Sequence, residues 1–409
     1  MKFIVYSQFA GGDQYGMVHG TYCLAREWVK AGDKVVIVSA SFSHTRHTQP
    51  AVGLSLFKKE MYSGITYVWI KTFKHKPNNL VMRLVNIFVY TFLSMLYASF
   101  QKKCYNSTVV CSSHHPFAIF PSLISVLKNR ARLVYEIRDL WPLSLLHLAG
   151  LSKYNPLYLV MIWCERFAIK RSDMVVSVLE GVDKYLETLG LEKPVVYIPN
   201  GISESNSNES NFKSCFKDRI NSDKARGDLI VGYTGSFGYA NRLDEILQSV
   251  FDLSDCAISF YLVGSGAQQD ELVAKIGAFG LQNKVHILPE MNRAGVREFL
   301  ELTDVGYLGY LDSPLYEYGI SPTKINDYLS AGLLVLFLTD ISIGELNNCS
   351  SIVQCRDSNE LKDKLIYLAE HKNEISDKGA EGAKWVKKYR SYSDLARRFK
   401  DAVLSAKSG

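Results

Sequence analysis

Residues 319–332 read G-I-S-P-T-K-I-N-D-Y-L-S-A-G, and their types and spacing suit the capture of a diphosphate and a ribose. Ser321 is a good N-cap and Pro322 suits the first helical position, so a helix is predicted to start there. Lys324 and Asp327 then lie three residues apart on one face. Ile325, Tyr328 and Leu329 make an apolar stripe on the other. A helix start offers free N–H groups and a partial positive charge to a diphosphate, and Lys324 adds a full charge beside it. Asp327, one turn in, can accept hydrogen bonds from two ribose hydroxyls. Ala331 and Gly332 end the helix. Residues 333–338 run on as an unbroken apolar strand of the kind buried on both faces of a parallel sheet. The same spacing suits an ordinary capped helix before a core strand, and the residues alone leave both readings open.

Those side chains need a scaffold, and two α/β halves supply one. In the first, apolar runs at 3–6, 35–38, 66–70, 109–111, 133–135, 174–178 and 195–198 read as strands. Helical patterns at 21–30, 117–128, 157–170 and 181–189 lie between most of them. Strand alternating with helix means a parallel sheet covered on both faces. Residues 203–227 are rich in Ser, Asn, Lys and Asp and read as a flexible linker. The second half repeats the pattern, with strands near 230–233, 258–263, 285–288, 305–310 and 333–338. Residues 381–406 form a final pair of charged helices.

Composition narrows the function classes. A chain of 409 residues exceeds one compact core, so two domains are expected. With 47% hydrophobic and 22% charged residues it is globular. A net charge of +6 permits an anionic ligand or an anionic membrane surface but is too weak to argue for nucleic acid. Its eight cysteines include no C-x-x-C pair, against both a zinc site and a disulfide framework. The opening apolar run is too short for a signal peptide. It reads as a first strand, and the expected setting is reducing and cytoplasmic.

Glycine-rich loops follow three strands: S-Q-F-A-G-G-D-Q-Y-G at 7–16, V-G-Y-T-G-S-F-G-Y-A-N-R-L-D at 231–244 and Y-L-V-G-S-G at 261–266. In open parallel sheets ligands bind at the carboxyl ends of strands, and glycine lets backbone approach a phosphate or sugar. No G-x-G-x-x-G is present at the first loop. Each loop alone also fits a plain tight turn.

With these motifs the chain resembles a family 4 retaining glycosyltransferase of the GT-B fold, and within it the bacterial enzymes of O-antigen and capsular polysaccharide synthesis. The resemblance runs from Gly11-Gly12 and L-A-R-E-W-V-K-A-G (24–32) through E-I-R-D-L-W-P (136–142), R-S-D-M-V-V (171–176) and I-P-N-G-I (198–202) to L-V-G-S-G and S-P-T-K-I-N-D-Y-L-S-A-G. It implies two Rossmann-like parallel-sheet domains facing across a cleft. Residues 1–202 would bind the acceptor, 203–227 link, 228–385 bind the nucleotide sugar, and 386–409 pack back on the first domain. Asp327 stands where the family binds the nucleotide ribose, with Lys324 and Ser321 at the phosphates. Gly264 and Gly266 fit the turn beside the base, Gly12 and Gly235 the close backbone approaches. His114 and Asp139 are the catalytic candidates, and Arg138 faces the acceptor. The chain also departs from the pattern. The family's first paired acid falls on Gly319, and its usual Arg and Lys of the 231–244 loop fall on Ser236 and Asn241, leaving Arg242 as the substitute phosphate ligand.

The resemblance implies a sugar, such as an N-acetylated or deoxy hexosamine, moved from a UDP-linked donor to a polyprenyl-diphosphate-linked saccharide. The sequence contains no Asp-x-Asp, so the diphosphate leaving group is expected to be stabilised by the helix start, Lys324 and Arg242, with no metal or other cofactor. Leu80–Phe100 is apolar on all sides apart from Arg83 and Asn86, and Lys71, Lys74, Lys76 and Lys102-Lys103 flank it. Three readings fit it: a core helix, a helix lying on the inner face of the membrane, or a true span. A peripheral enzyme is the favoured one. A GT-B sugar-nucleotide 2-epimerase and a non-catalytic nucleotide-sugar-binding protein remain the alternatives.

Overall fold

Runs rich in Val, Ile and aromatic residues, separated by helical patterns, fold as the sequence dictates into two parallel sheets. The computed structural model describes residues 1–15, 20–44, 46, 48–76, 79–147, 150–202 and 209–406. Gly16, residues 203–208 of the expected linker and the last three residues lie outside them. The chain divides into two units: residues 1–203, 318–321 and 392–409 form unit 1, and 204–317 with 322–391 form unit 2.

Unit 1 contains strands β1 (Lys2–Tyr6), β2 (Lys34–Ala40), β3 (Phe57–Tyr62), β4 (Ile65–Ile70), β5 (Ser107–Ser112), β6 (Arg132–Ile137), β7 (Met174–Ser177) and β8 (Val195–Tyr197). Their order is β3-β4-β2-β1-β5-β6-β7-β8. All pair in parallel except β3, which runs antiparallel to β4. Sequence reading missed β3 because its exposed edge residues, such as Lys58 and Lys59, carry no apolar run. The helices are α1 (Gly20–Lys30), α2 (Leu80–Phe100), α3 (Ile119–Asn129), α4 (Trp141–His147), α5 (Pro156–Arg171) and α6 (Val182–Thr188). Strand order reverses between β1 and β5, so their carboxyl ends diverge into a crevice of the kind that binds ligands.

Unit 2 opens with α7 (Ser214–Ala225). This corrects the expected linker at 203–227, most of whose described part is helix. Its apolar content is low, but Ile220 and Asp223 are buried, and Asp223 accepts from Tyr261 Oη and pairs with Arg226 at 2.8 Å. A buried carboxylate with those partners does the docking that apolar residues do elsewhere. Then follow β9 (Leu229–Thr234), α8 (Leu243–Asp252), β10 (Ile258–Val263), α9 (Gln269–Ala278), β11 (Val285–Leu288), α10 (Arg293–Glu301), β12 (Val305–Gly309), α11 (Thr323–Ser330), β13 (Leu334–Leu338), β14 (Ile352–Cys355), α12 (Ser358–Glu370) and α13 (Lys372–Tyr389). The sheet is wholly parallel in the order β11-β10-β9-β12-β13-β14, and its switch point lies between β9 and β12.

The last helix, α14 (Tyr392–Ser405), belongs to unit 1. Phe399 packs on Phe3 and Trp28, Trp28 Nε1 donates to Ala396 O at 3.1 Å, and Lys400 pairs with the buried Asp33 at 2.7 Å. The division falls at residue 392, a few residues later than the expected 386, because α13 continues unbroken to Tyr389.

Candidate active site

At the switch point of unit 2, α11 is fixed by one aromatic residue. Tyr328 is fully buried, and its ring lies so close to Gly306 of β12 that a Cβ there would fall 2.5 Å from it. Its hydroxyl accepts from Thr234 N at 2.9 Å, at the last residue of β9. One side chain thus pins the helix across both switch-point strands. The expected apolar stripe is on that inner face, with Ile325 and Leu329 also buried.

Lys324 leaves the helix toward the end of β9. Its Nζ donates to Tyr233 Oη at 2.8 Å and sits 4.2 Å from the centre of that ring. Asn241 Oδ1 lies at 3.4 Å. The Tyr233 hydroxyl passes its own proton to Ser236 O at 2.6 Å. Gly235, with φ +136°, leaves room for the ammonium, since a Cβ would fall 2.7 Å from Nζ. No carboxylate pairs with Lys324 among the described residues, and desolvation pushes its ammonium down to about 8. The result is a cation held by neutral oxygens and a ring face beside the start of a helix.

Gly264 and Gly266 have a packing role besides the one expected of them. A Cβ on Gly264 would fall 1.9 Å from Gly235 O, and one on Gly266 2.4 Å from Phe237 O. The β9 and β10 loops lie backbone against backbone, tied by Gly235 N to Val263 O and Phe237 N to Ser265 O. These glycines are required by that packing. Arg242 is placed otherwise than expected: Nε and Nη2 fork onto Glu245 at 2.6 and 2.8 Å, so a carboxylate already occupies the face that was to meet a phosphate. Asp327 keeps 45% of its side chain exposed, with Arg293 of α10 at 3.4 Å. Desolvation in its surroundings raises the carboxyl above the usual value, against the pull of Arg293 and Arg297.

In unit 1, His114 follows β5 and meets the Phe9 ring edge to face at 5.5 Å, which puts it at the β1/β5 switch point. Arg138 is engaged within unit 1. Its Nη1 bonds Glu136 and its Nη2 bonds Asn200 Oδ1, both at 3.1 Å. Asp139 is exposed beside it; desolvation of its carboxyl raises the pKa, and Arg138 opposes that rise. A Cβ on Gly12 would make only ordinary contacts with Tyr22 and Tyr62 at 3.5 Å, so packing does not demand glycine there.

Residues 15–206 match Glycosyltransferase Family 4. That stretch, just under half of the chain, is similar to the family. Solved structures match over nearly its whole length. HepE of Anabaena, crystallised with UDP and glucose, covers 99% of this chain and 100% of its own at 13% identity (TM-score 0.65). Sucrose-phosphate synthase of Thermosynechococcus elongatus covers 99% and 98% at 11% identity (TM-score 0.68). A glycosyltransferase of Rickettsia africae covers 100% and 99% at 12% identity (TM-score 0.65). At these identities the likeness establishes the GT-B fold and nothing finer. No curated protein sequence matches the chain.

Within this glycosyltransferase, two further expectations need correction. Ser321 does not cap α11; Pro322 holds the cap position and Thr323 is the first helical residue. Ser321 Oγ instead accepts from Asn200 N at 3.2 Å, and Asn200 Nδ2 donates to Ser321 O at 2.9 Å. Gly319, where the family places its first acid, has φ +102°, and a Cβ would fall 2.9 Å from Glu180 N. The backbone leaves no room there for any side chain. Sequence reading also missed Tyr233, Tyr328 and Asn200. For Asn200 the signal was present in the I-P-N-G-I motif. The two tyrosines sit in apolar runs and looked like plain core.

Proposed function

We propose that this glycosyltransferase moves a sugar from a UDP-linked donor to a polyprenyl-diphosphate-linked saccharide in cell-surface polysaccharide synthesis, with retained configuration and without a metal. The observation that carries the donor reading is Lys324. It is a desolvated ammonium with neutral partners, at the start of α11 and at the β9/β12 switch point. Such a cation gains most when an anion arrives. Breaking a sugar–phosphate bond builds charge on a diphosphate, and preorganised positive charge and N–H donors stabilise it. Asp327, three residues on, suits the ribose hydroxyls once Arg293 shares it. For retention we assign attack from the leaving-group face, with the departing phosphate taking the acceptor's proton. His114 and Asp139 then stand as groups beside the reacting sugar rather than nucleophiles.

The membrane part of the proposal rests on α2 and α5. On α2 the buried face carries Asn86, Ile87, Tyr90, Thr91, Ser94, Tyr97 and Ala98, while Val81, Val85, Phe88 and Phe92 are 67%, 41%, 50% and 61% exposed. The outside of this helix is more apolar than its inside, the reverse of a core helix. On α5, Leu159, Val160 and Trp163 are likewise about half exposed or more, and both helices border one cluster around Ile87, Phe117 and Met161. Such a face, near Lys102-Lys103 and Arg166, suits an anionic membrane surface and an acceptor carried in it. We therefore propose a cytoplasmic enzyme bound peripherally to the inner membrane.

The test is a thermal-shift titration with UDP, GDP, dTDP and CMP in EDTA, on wild type and Asp327→Ala. A ligand at 100 times its dissociation constant adds about 2.7 kcal/mol, roughly 5–10 °C for a unit of this size. A shift with UDP alone, lost in Asp327→Ala, is expected. Activity abolished by EDTA and restored by manganese would refute the metal-free mechanism.

A further inference from the structure

The edge strand β3 has a use that its low apolar content hides. Glu60 and Tyr62 point to one side of it and are half-buried, while Lys59 and Met61 on the other side are exposed. Both reach the loop that joins β1 to α1. Tyr62 Oη donates to Asp13 Oδ1 at 2.5 Å. Glu60 Oε2 accepts from Tyr15 Oη and from Trp69 Nε1, each at 2.8 Å. Tyr67 of β4 stands opposite Glu60, and its hydroxyl donates to Gly11 O at 2.8 Å. From α1, Tyr22 Oη donates to Asp13 Oδ1 at 3.0 Å. The β3–β4 hairpin and α1 thus grip the loop at Gly11, Asp13 and Tyr15.

Asp13 is the one acid of residues 7–16, in the loop that follows β1 at the crevice between β1 and β5. By position it could serve as a general base. Its bonds argue otherwise. Two phenols and Gln14 N, the last at 3.1 Å, converge on the single oxygen Oδ1. Desolvation first, and the hydrogen bond to Asp13 next, hold the Tyr62 phenol above its usual value, so it stays a donor across the neutral range. Hydrogen bonds to a carboxylate are among the strong ones. An acid fastened in this way sets the backbone that carries it.

We propose that Asp13, Tyr22 and Tyr62, with the Glu60–Tyr15 pair beside them, are positioning residues that fix the loop of residues 11–15 for the reaction, and that Asp13 takes no proton from a substrate. The inference rests on the transferase reading only for its kinetic readout. The frame itself is read in the free protein.

Two measurements on the full chain test it, with Tyr62→Phe, Asp13→Ala, Asp13→Asn and the double variant of the first two. One is hydrogen exchange. The other is release of UDP from UDP-glucose, UDP-galactose and UDP-N-acetylglucosamine, with water as acceptor. Tyr62→Phe and Asp13→Ala should each speed exchange over residues 10–15 by about tenfold, the worth of a hydrogen bond to a charged group, and leave unit 2 unchanged. Both should lower kcat by a similar factor, with UDP affinity and the shape of the pH profile as in wild type. Asp13→Asn keeps an acceptor oxygen and should recover most of the loss. The double variant should be no worse than Asp13→Ala, because both remove one interaction. Tyr62→Phe keeps its ring beside Tyr22, so it remains informative if Asp13→Ala fails to fold. Unchanged exchange over residues 10–15, or faster exchange with wild-type kcat, overturns the proposal. So does an Asp13→Asn variant as slow as Asp13→Ala that has lost the acidic limb of the pH profile, since Asp13 would then be a base. Wild type releasing UDP from none of the three sugars would count against the transferase reading, and exchange alone would then decide whether the frame exists.

Discussion

The carboxyl ends of the two sheets are finished differently. In unit 2 the loops after β9 and β10 interlock backbone to backbone, Tyr328 pins α11 across the switch point, and Lys324 has defined neutral partners. In unit 1 the matching edge leaves two nitrogens of the buried Arg46 guanidinium, the buried amide oxygen of Gln8 and an imidazole nitrogen of His44 without partners among the described residues, against the single amide oxygen of Gln268 in the β10 loop of unit 2. One edge is preorganised by its own packing; the other is less completely paired.

The sharpest way to break this contrast is Gly264→Ala. With Gly235 O at 1.9 Å from the new Cβ and φ at +145°, the interlock cannot form. A loss of about 3–5 kcal/mol, confined to unit 2, is expected in urea unfolding followed by hydrogen exchange of each unit. Next comes the outer face of unit 1. Phe88→Ser with Phe92→Ser should weaken binding to anionic vesicles by about 2–4 kcal/mol in a flotation assay. Unchanged binding would remove α2 from the membrane proposal.

Lys324→Met should cost UDP about 10–100-fold, the worth of a charged hydrogen bond. It should also raise the melting temperature of the free protein, because a desolvation penalty disappears. The sign with pH follows from the depressed folded value. Between about 8 and the ordinary lysine range the unfolded chain binds the extra proton, so wild-type stability rises with pH across that window. UDP affinity falls over the same window, and Lys324→Met should show neither slope.

Smaller still is Asn200→Asp. It keeps the Arg138 contact but sets an acceptor against Ser321 O, and should cost unit 1 about 1 kcal/mol. Gly12→Ala should change stability by less than about 0.5 kcal/mol, since its Cβ finds open van der Waals contact. A large loss there would show that the unit 1 loops are as tightly set as those of unit 2.

The fold was legible where burial is two-sided. Every expected strand is present, because runs such as residues 334–338 have no other place to go. The helix that carries Lys324 and Asp327 was legible from its spacing. What could not be read depends on partners far along the chain. Ser321 looks like a cap until Asn200, distant in sequence, claims its hydroxyl. Arg242 looks like a free cation until Glu245 folds onto it. That Gly264 and Gly266 are demanded by the neighbouring loop shows only once the two loops are seen together. Arg46 carries no signal at all in sequence, because an unpaired charge is a property of its surroundings.

The placement of α14 in unit 1 has a consequence for biosynthesis. Trp28, Phe3 and Asp33, all made early, wait for Ala396, Phe399 and Lys400. A ribosome delivers every residue of unit 2 before it delivers the helix that closes unit 1. Unit 2 can therefore mature during translation, while unit 1 is exposed longest to aggregation and to chaperones. The first half to be synthesised is the last to be sealed.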